Sequence, residues 1–220
     1  SRWRRTWTPA DGLLQPGPAA QAAMAVHQLA ARSFSPTALQ NYAACPYRFF
    51  LYAVHGLAPR DEAIAIEEMD PLQRGSLVHE VQFELLGALR DARSLPVTPI
   101  NLEAAQALLD DVLDRVAARY RDDLAPAIER VWDDGVAAIR ADLREWVRRA
   151  SEDVSGFAPA SFELSFGLAA THVRDPQSAR SPVELDCGLR LRGSIDLVEQ
   201  GPAGTLRVTD HKTGKVNVEP

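Results

Sequence analysis

Apolar residues return every three or four positions through the middle of this chain and every second position near its end, so helices should give way to strands. Ala105, Leu109, Val112, Val116 and Tyr120 form one helical stripe. Trp132, Val136, Ile139, Leu143 and Val147 form a second, and together they predict helix over 101 to 150. An earlier stripe of Val78, Val81, Leu85 and Leu89 begins at Asp70-Pro71, an N-cap followed by a proline suited to the first helical turn. Ser35-Pro36 carries the same start signal, and Pro46 ends that helix and opens the next. The aromatics of this segment, Tyr42, Tyr47, Phe49, Phe50 and Tyr52, read for the most part as core.

Phe162-Glu163-Leu164-Ser165-Phe166 alternates and predicts a strand, with Glu163 opposite in direction to Phe162 and Leu164. Residues 169 to 182, with Pro176 and Pro182, predict a loop. Gly193 to Lys215 reads as two strands about a Gln200-Gly201-Pro202-Ala203-Gly204 turn. In its second strand Leu206, Val208, Asp210 and Lys212 share one face. Residues 1 to 34 read as a linker from a preceding domain: they lack an initiating Met and are rich in Pro, Gly and Ala from Pro9 to Ala20. Arg2, Arg4 and Arg5 interleaved with Trp3 and Trp7 offer an alternative, a small DNA-contacting arm.

With 46% hydrophobic residues in 220, the chain can build a core for one large domain or a domain with an insertion. The net charge of −6 excludes coating of nucleic acid through bulk positive charge, so contact with DNA must use local patches. A stripe of Arg140, Arg144 and Arg148 reads as a solvated face, weakened as a phosphate track by Asp142 and Glu145. Cys45 and Cys187 are too few for a disulfide framework and suit a reducing compartment. No run approaches the roughly 18 apolar residues of a spanning helix, and no signal-peptide pattern opens the chain, so it reads as cytoplasmic and without a membrane partner.

Folding the hairpin about its turn pairs Glu199 with Thr205 or Leu206 and brings Asp196 opposite Thr209 or Asp210. Facing residues have Cβ atoms about 4.5 to 5.5 Å apart, and like charges placed so are destabilising unless something lies between them. A divalent cation is the simplest such bridge. Mg²⁺ takes one or two carboxylates plus waters and phosphate oxygens, which leaves positions open for substrate. Lys212 then stands beside the metal-bound water. On the predicted helix after Asp70, His79 lies off the apolar stripe, with Gly75 one turn before it and Phe83 one turn after. A glycine there admits close approach of backbone or substrate.

Gly193-Ser-Ile-Asp196 followed by Asp210-His-Lys212-Thr-Gly214 resembles the Gly-x-x-Asp and Asp-x-Lys-Thr-Gly motifs of the RecB-like PD-(D/E)xK nucleases. Gly75-x-x-x-His79 is similar to that family's first motif, and Cys45-Pro-Tyr-Arg-Phe, preceded by Ser-Pro-Thr-Ala-Leu and Tyr42, looks like the opening of its AddB-type nuclease domain. The resemblance spans roughly Ser35 to Lys215, with Cys45, His79, Glu163, Asp196, Asp210 and Lys212 in the family's order.

What this resemblance implies is a mixed α/β, restriction-endonuclease-like core over 35 to 220, a mixed sheet flanked by helices, with a helical insertion about 101 to 150. It implies Mg²⁺- or Mn²⁺-dependent hydrolysis of DNA by an exonuclease working in recombination and double-strand-break repair beside a helicase-nuclease partner subunit. Asp196 and Asp210 would bind metal with the His211 carbonyl, while His79 or Glu163 completes the shell. Lys212 would orient the water or stabilise the transition state electrostatically. In the family the cysteine matching Cys45 joins three later ones on a [4Fe–4S] cluster, but Cys187 matches none of those, and four thiolates are needed. The later Gln-x-x-x-Tyr helix is missing as well, so the chain is expected to be a truncated part of a larger subunit. Two competing readings are a catalytically idle nuclease-fold module that binds DNA or scaffolds a complex, and a free-standing RecB-like exonuclease. The linker-like start speaks against the latter.

Overall fold

The structure, a computed structural model, describes residues 16–28, 30–58 and 68–213. The arm of Arg2, Arg4, Arg5, Trp3 and Trp7 lies outside them, as do Gly214 of the last motif and Lys215 at the end of the hairpin stretch. In chain order come α1 (Pro18–Ala25), β1 (Ser33–Phe34), α2 (Pro36–Ala44) and α3 (Pro46–Phe49), the last running into a π-helical turn, Phe50–Val54. Three long helices follow: α4 (Pro71–Asp91), α5 (Leu102–Leu124) and α6 (Glu129–Ser151). The strands are β2 (Ala158–Phe166), β3 (Val183–Glu184), β4 (Arg190–Leu191), β5 (Gly193–Gln200) and β6 (Leu206–Thr209).

The chain divides into two compact units, Ser1–Ala58 with Ser181–Gly193, and Pro59–Arg180 with Ser194–Pro220. In the first, β4 lies between β1, to which it runs parallel, and β3, to which it runs antiparallel. Ser33 and Phe34, assigned to the linker on sequence, are thus a strand of this sheet. The Ser35 hydroxyl accepts the Ala38 N–H at 3.2 Å, the expected N-cap. Phe34 is buried, with Phe49 against it at 5.8 Å between ring centroids. The expectation that the aromatics here are mostly core fails, because Tyr42, Tyr47 and Tyr52 are all exposed. These helices are too short to turn every aromatic inward, and each tyrosine keeps its hydroxyl in water.

In the second unit the main core is helical. Val78, Val81, Leu85 and Leu89 of α4 pack with Leu109, Val112, Leu113 and Val116 of α5 and with Trp132, Ile139, Leu143 and Val147 of α6. The Asp70 carboxylate accepts the Gln73 N–H at 2.7 Å while the Gln73 side chain accepts the Asp70 N–H at 3.0 Å, a capping box that fixes the start of α4. Residues 101–150 therefore form the body against which α4 is seated rather than an appendage. Arg140 and Arg144 of α6 are engaged by Asp110 of α5, and Arg148 by Glu145, so this stripe is neutralised.

The second sheet has the order β2-β5-β6. Phe162 and Leu197 tie it to Leu86 of α4, with Trp146 of α6 alongside. In the hairpin the observed register is Glu199 opposite Arg207 and Leu197 opposite Thr209, which corrects the expected pairing of Glu199 with Thr205 or Leu206. Pro202–Gly204 forms a short 3₁₀ turn that takes up more chain than a tight turn would. Arg207 is then clamped to Glu199 and Asp153, so its guanidinium ties the hairpin to the segment after α6. Leu206 and Val208 are exposed; Arg207 and Thr209 instead line a cavity of about 740 Å³ with Leu85, Leu89 and Trp146.

Candidate metal centre

Helix α4, strand β2 and strand β5 each deliver one side chain to a single point. His79, Glu163 and Asp196 place their ligand atoms within 4.8 Å of one another. The buried stripe of α4 fixes the rotation of that helix and leaves His79 half-buried at its margin. Gly75, one turn earlier, is where the segment after β6 approaches, since a Cβ there would lie 3.3 Å from the Thr213 hydroxyl. On β5, Ser194 and Asp196 share a face by strand alternation. The Ser194 hydroxyl donates to Glu163 Oε2 at 3.0 Å, so it fixes the carboxylate whose other oxygen faces His79.

Glu163 does not follow the clean alternation that its sequence predicts. Its φ is +50°, a left-handed conformation within β2. For a residue with a long side chain this costs on the order of 1–3 kcal/mol and persists only where the surroundings over-determine it. The alternation of burial along β2 breaks here: Ser161 and Phe162 are both buried, and Glu163 and Leu164 are both half-buried.

The electrostatics fit a cation. Nδ1 of His79 lies 3.6 Å from Glu163 and 3.7 Å from Asp196, distances of ion pairing rather than of hydrogen bonding. Glu163 beside the ring raises the His79 pKa, against burial that lowers it, and Asp196 adds to the rise. His79 in turn lowers the pKa of Glu163. When protonated, His79 sets a positive charge between two gathered carboxylates, the position a metal cation would take. On its other side, His79 Nε2 lies 3.1 Å from the His211 carbonyl, and the His211 N–H donates to Asp196 Oδ2 at 2.7 Å. The backbone at 211 is thus held against the cluster, its N–H on Asp196 and its carbonyl on the Nε2 side of His79. The His211 ring is desolvated, which lowers its pKa, and it packs edge-on to Trp146 at 5.7 Å.

Two further features bear on whether a divalent ion suits these residues. Gln82, three positions after His79 on α4, is buried with its Oε1 unpartnered among the described residues. It lines the same small cavity as His79, Glu163, Asp196 and His211, about 10 Å³ in volume, the size of one water or one ion. The lining of this space includes two carboxylate residues and an imidazole, with Gln82 and His211 beside them, a donor set suited to a hard divalent cation.

Asp210 and Lys212 lie apart from this group. By extension of the ladder Asp210 stands opposite Asp196, but β6 ends at Thr209 and no ladder pair orients Asp210. Its carboxylate pairs with the Lys212 ammonium at 2.8 Å, and both side chains are about two-thirds exposed, 64% and 63%. The expected convergence of Asp196, Asp210 and Lys212 on one point is thus not the observed arrangement. Two facing carboxylates repel, and Lys212 offers Asp210 the nearer counter-charge. Asp210 raises the pKa of Lys212, which holds it as a cation.

Sequence reasoning passed over Gln82, Ser194 and Trp146. Gln82 carries a readable signal, a polar residue beside Val81 and Leu85 in an apolar stripe, and Ser194 lies two residues before Asp196 on the same strand face. Trp146, next to Val147 of the α6 stripe, carries no such signal. Cys45, at the junction of α2 and α3, and Cys187 are both free and exposed. With two cysteines in the chain, the four thiolates of an iron–sulfur cluster cannot come from it alone.

The chain is similar to the B-type subunit of the ATP-dependent helicase/deoxyribonuclease of several bacteria. Identity is 24% over 193 residues with that of Thermoanaerobacter sp. (strain X514), covering 83% of this chain and 15% of the relative. It is 24% over 195 residues with that of Moorella thermoacetica and 26% over 197 residues with that of Caldanaerobacter subterraneus subsp. tengcongensis, each covering 82% of this chain and 15% of the relative. The chain therefore spans about 15% of the length of the relatives it matches. The family model of the PD-(D/E)XK nuclease superfamily matches residues 33–220, a range that holds His79, Glu163, Asp196, Asp210 and Lys212, and this chain belongs to that superfamily.

Proposed function

We propose that this chain is the nuclease domain of a bacterial helicase-nuclease subunit and hydrolyses DNA phosphodiester bonds with Mg²⁺ or Mn²⁺. Its role would be that of an exodeoxyribonuclease in double-strand-break repair and recombination, in the cytoplasm, beside a helicase-nuclease partner subunit. The observation that carries the reading is the convergence of His79, Glu163 and Asp196 within 4.8 Å, from three separate elements of a superfamily member.

His79, Glu163 and Asp196 would hold the ion with the His211 carbonyl, after His79 has given up its proton. The chemistry a divalent ion supplies in such a site is Lewis-acid activation of water and neutralisation of charge developing on the phosphate. Ser194 keeps the Glu163 carboxylate turned inward. Asp210 is the remaining carboxylate in reach by register, and its recruitment would release Lys212 to orient the attacking water or to meet negative charge in the transition state. No step is assigned to an iron–sulfur cluster.

The test is cleavage of linear duplex DNA by the purified protein with and without Mg²⁺. Asp196→Ala, which removes a ligand and the acceptor of the His211 N–H, should lower the rate roughly a thousandfold or more. Cleavage by that variant at the parental rate with saturating Mg²⁺ would refute the assignment.

A further inference from the structure

The loop between β2 and β3 reads on sequence as a polar connection, yet it contains a carboxylate that is 2% exposed. Asp175 accepts the Phe162 N–H at 2.8 Å through Oδ2 and the Gln177 N–H at 2.7 Å through Oδ1. Its backbone carbonyl accepts the Ser178 N–H at 3.1 Å. Two residues past Glu163, the Ser165 N–H donates to the Ser178 hydroxyl at 3.0 Å, and the Ser165 carbonyl accepts the Ala179 N–H at 2.9 Å. The loop thus grips β2 on both sides of Glu163 and leaves that residue between the two grips. Within the β2-β5-β6 order β2 is an edge strand, and this loop covers its outer side. Arg174, the neighbour of Asp175, pairs with Glu80 of α4 and stacks its guanidinium 4.4 Å from the Phe83 ring centroid, so the loop is anchored on the helix as well.

An edge strand leaves its outward backbone donors without a ladder partner, and a buried donor must find one. At Phe162 that partner is the Asp175 carboxylate. We infer that Asp175 is a positioning residue for the centre: by taking the Phe162 N–H it holds the left-handed backbone of Glu163 and thereby aims the Glu163 carboxylate at His79 and Asp196. This rests on the reading of Glu163 as a metal ligand proposed above. Asp175 touches neither metal nor DNA, and its effect passes through Glu163.

The probe is Mn²⁺ alone, with its dissociation constant measured by calorimetry or paramagnetic resonance on the intact chain without DNA. Asp175→Ala should weaken Mn²⁺ roughly tenfold or more, the range of outer-shell ligand supports. In a Glu163→Ala background the same substitution should change affinity by less than about twofold, because the residue it acts through is gone. Equal losses in both backgrounds would overturn the inference, since a general loosening of the fold does not need Glu163. Asp175→Asn keeps one acceptor and serves where the alanine variant fails to fold. It should bind Mn²⁺ between the parental and Glu163→Ala values and shift the Phe162 and Glu163 amide resonances. Unmoved Glu163 resonances in the asparagine variant reject the positioning role whatever the metal does. A parental Mn²⁺ affinity in Glu163→Ala alone instead removes Glu163 from the centre, and the amide shifts then still decide whether Asp175 sets its backbone.

Discussion

Strands β2 and β6 flank the same central strand, β5, and bring it carboxylates in opposite conditions. On β2, Glu163 is held in a left-handed conformation, braced by the Asp175 loop, hydrogen-bonded to Ser194 and paired with His79. On the other side Asp210 falls just beyond the last pair of the β6 ladder and, among the described residues, pairs with the exposed Lys212 alone. Under the proposed reading, one half of the centre is preorganised at the cost of backbone strain, and the other would be assembled by whatever competes with Lys212 for Asp210. A preformed half sets where an ion binds. A recruited half lets binding and the readiness of Lys212 be coupled.

The largest effect expected from this division appears when the two recruited residues are removed one at a time. Asp210→Ala should lower DNA cleavage roughly a thousandfold and weaken Mg²⁺, while metal-free stability stays level or rises because a carboxylate opposite Asp196 is gone. Lys212→Ala should impair cleavage with Mg²⁺ affinity preserved, because an ammonium is not a ligand. Cleavage rate and Mg²⁺ dissociation constant measured for both variants test the split, and parallel losses of affinity would erase it.

A smaller effect follows from the proton on His79. Metal and proton compete for this ring, so Mn²⁺ affinity should rise up to about tenfold per pH unit until the pH exceeds the raised folded pKa of His79, then level off. Metal-free stability runs the other way. The His79 contribution is fully present below the ordinary value of 6.5 and is lost as pH rises through the folded pKa. The Glu163 contribution is present above the ordinary 4.5 and is lost as pH falls through its depressed folded pKa. Thermal midpoints of the metal-free protein across that range, compared with those of His79→Ala, should diverge most between the two ordinary values.

Least should happen at the arginine stripe of α6. Arg144→Ala breaks a partly exposed pair with Asp110 and should cost under about 1 kcal/mol, with DNA affinity unchanged. A clear loss of DNA affinity would make that stripe a phosphate track after all.

The helices were legible in the sequence because a period of 3.6 is written across many residues, so Leu85, Leu109 and Ile139 each confirm the same face. His79, Glu163 and Asp196 were legible as motif positions, one to an element. The left-handed backbone of Glu163 was not, because the hydrogen bonds that brace it come from a loop that has no periodicity to read. The hairpin register differed from expectation as well. The reversal is five residues long as read, but it spans Gly201–Thr205, closed by the Gly201 N–H on the Thr205 carbonyl, one residue later than Gln200–Gly204, and Leu206 and Val208 are exposed.

The composition of the first unit from two distant stretches has a consequence for the order in which the protein is made. Strand β1 at Ser33–Phe34 has its parallel partner at Arg190–Leu191, and everything from α4 to β2 is encoded between them. On a ribosome adding about 5 to 20 residues per second, β1 waits on the order of ten seconds for that partner. During that interval α4, α5 and α6 are already out and their contacts are close in sequence, so they can collapse first. The emerging chain therefore builds its helical body before the sheet that opens its sequence, and its earliest strand is among the last to be paired.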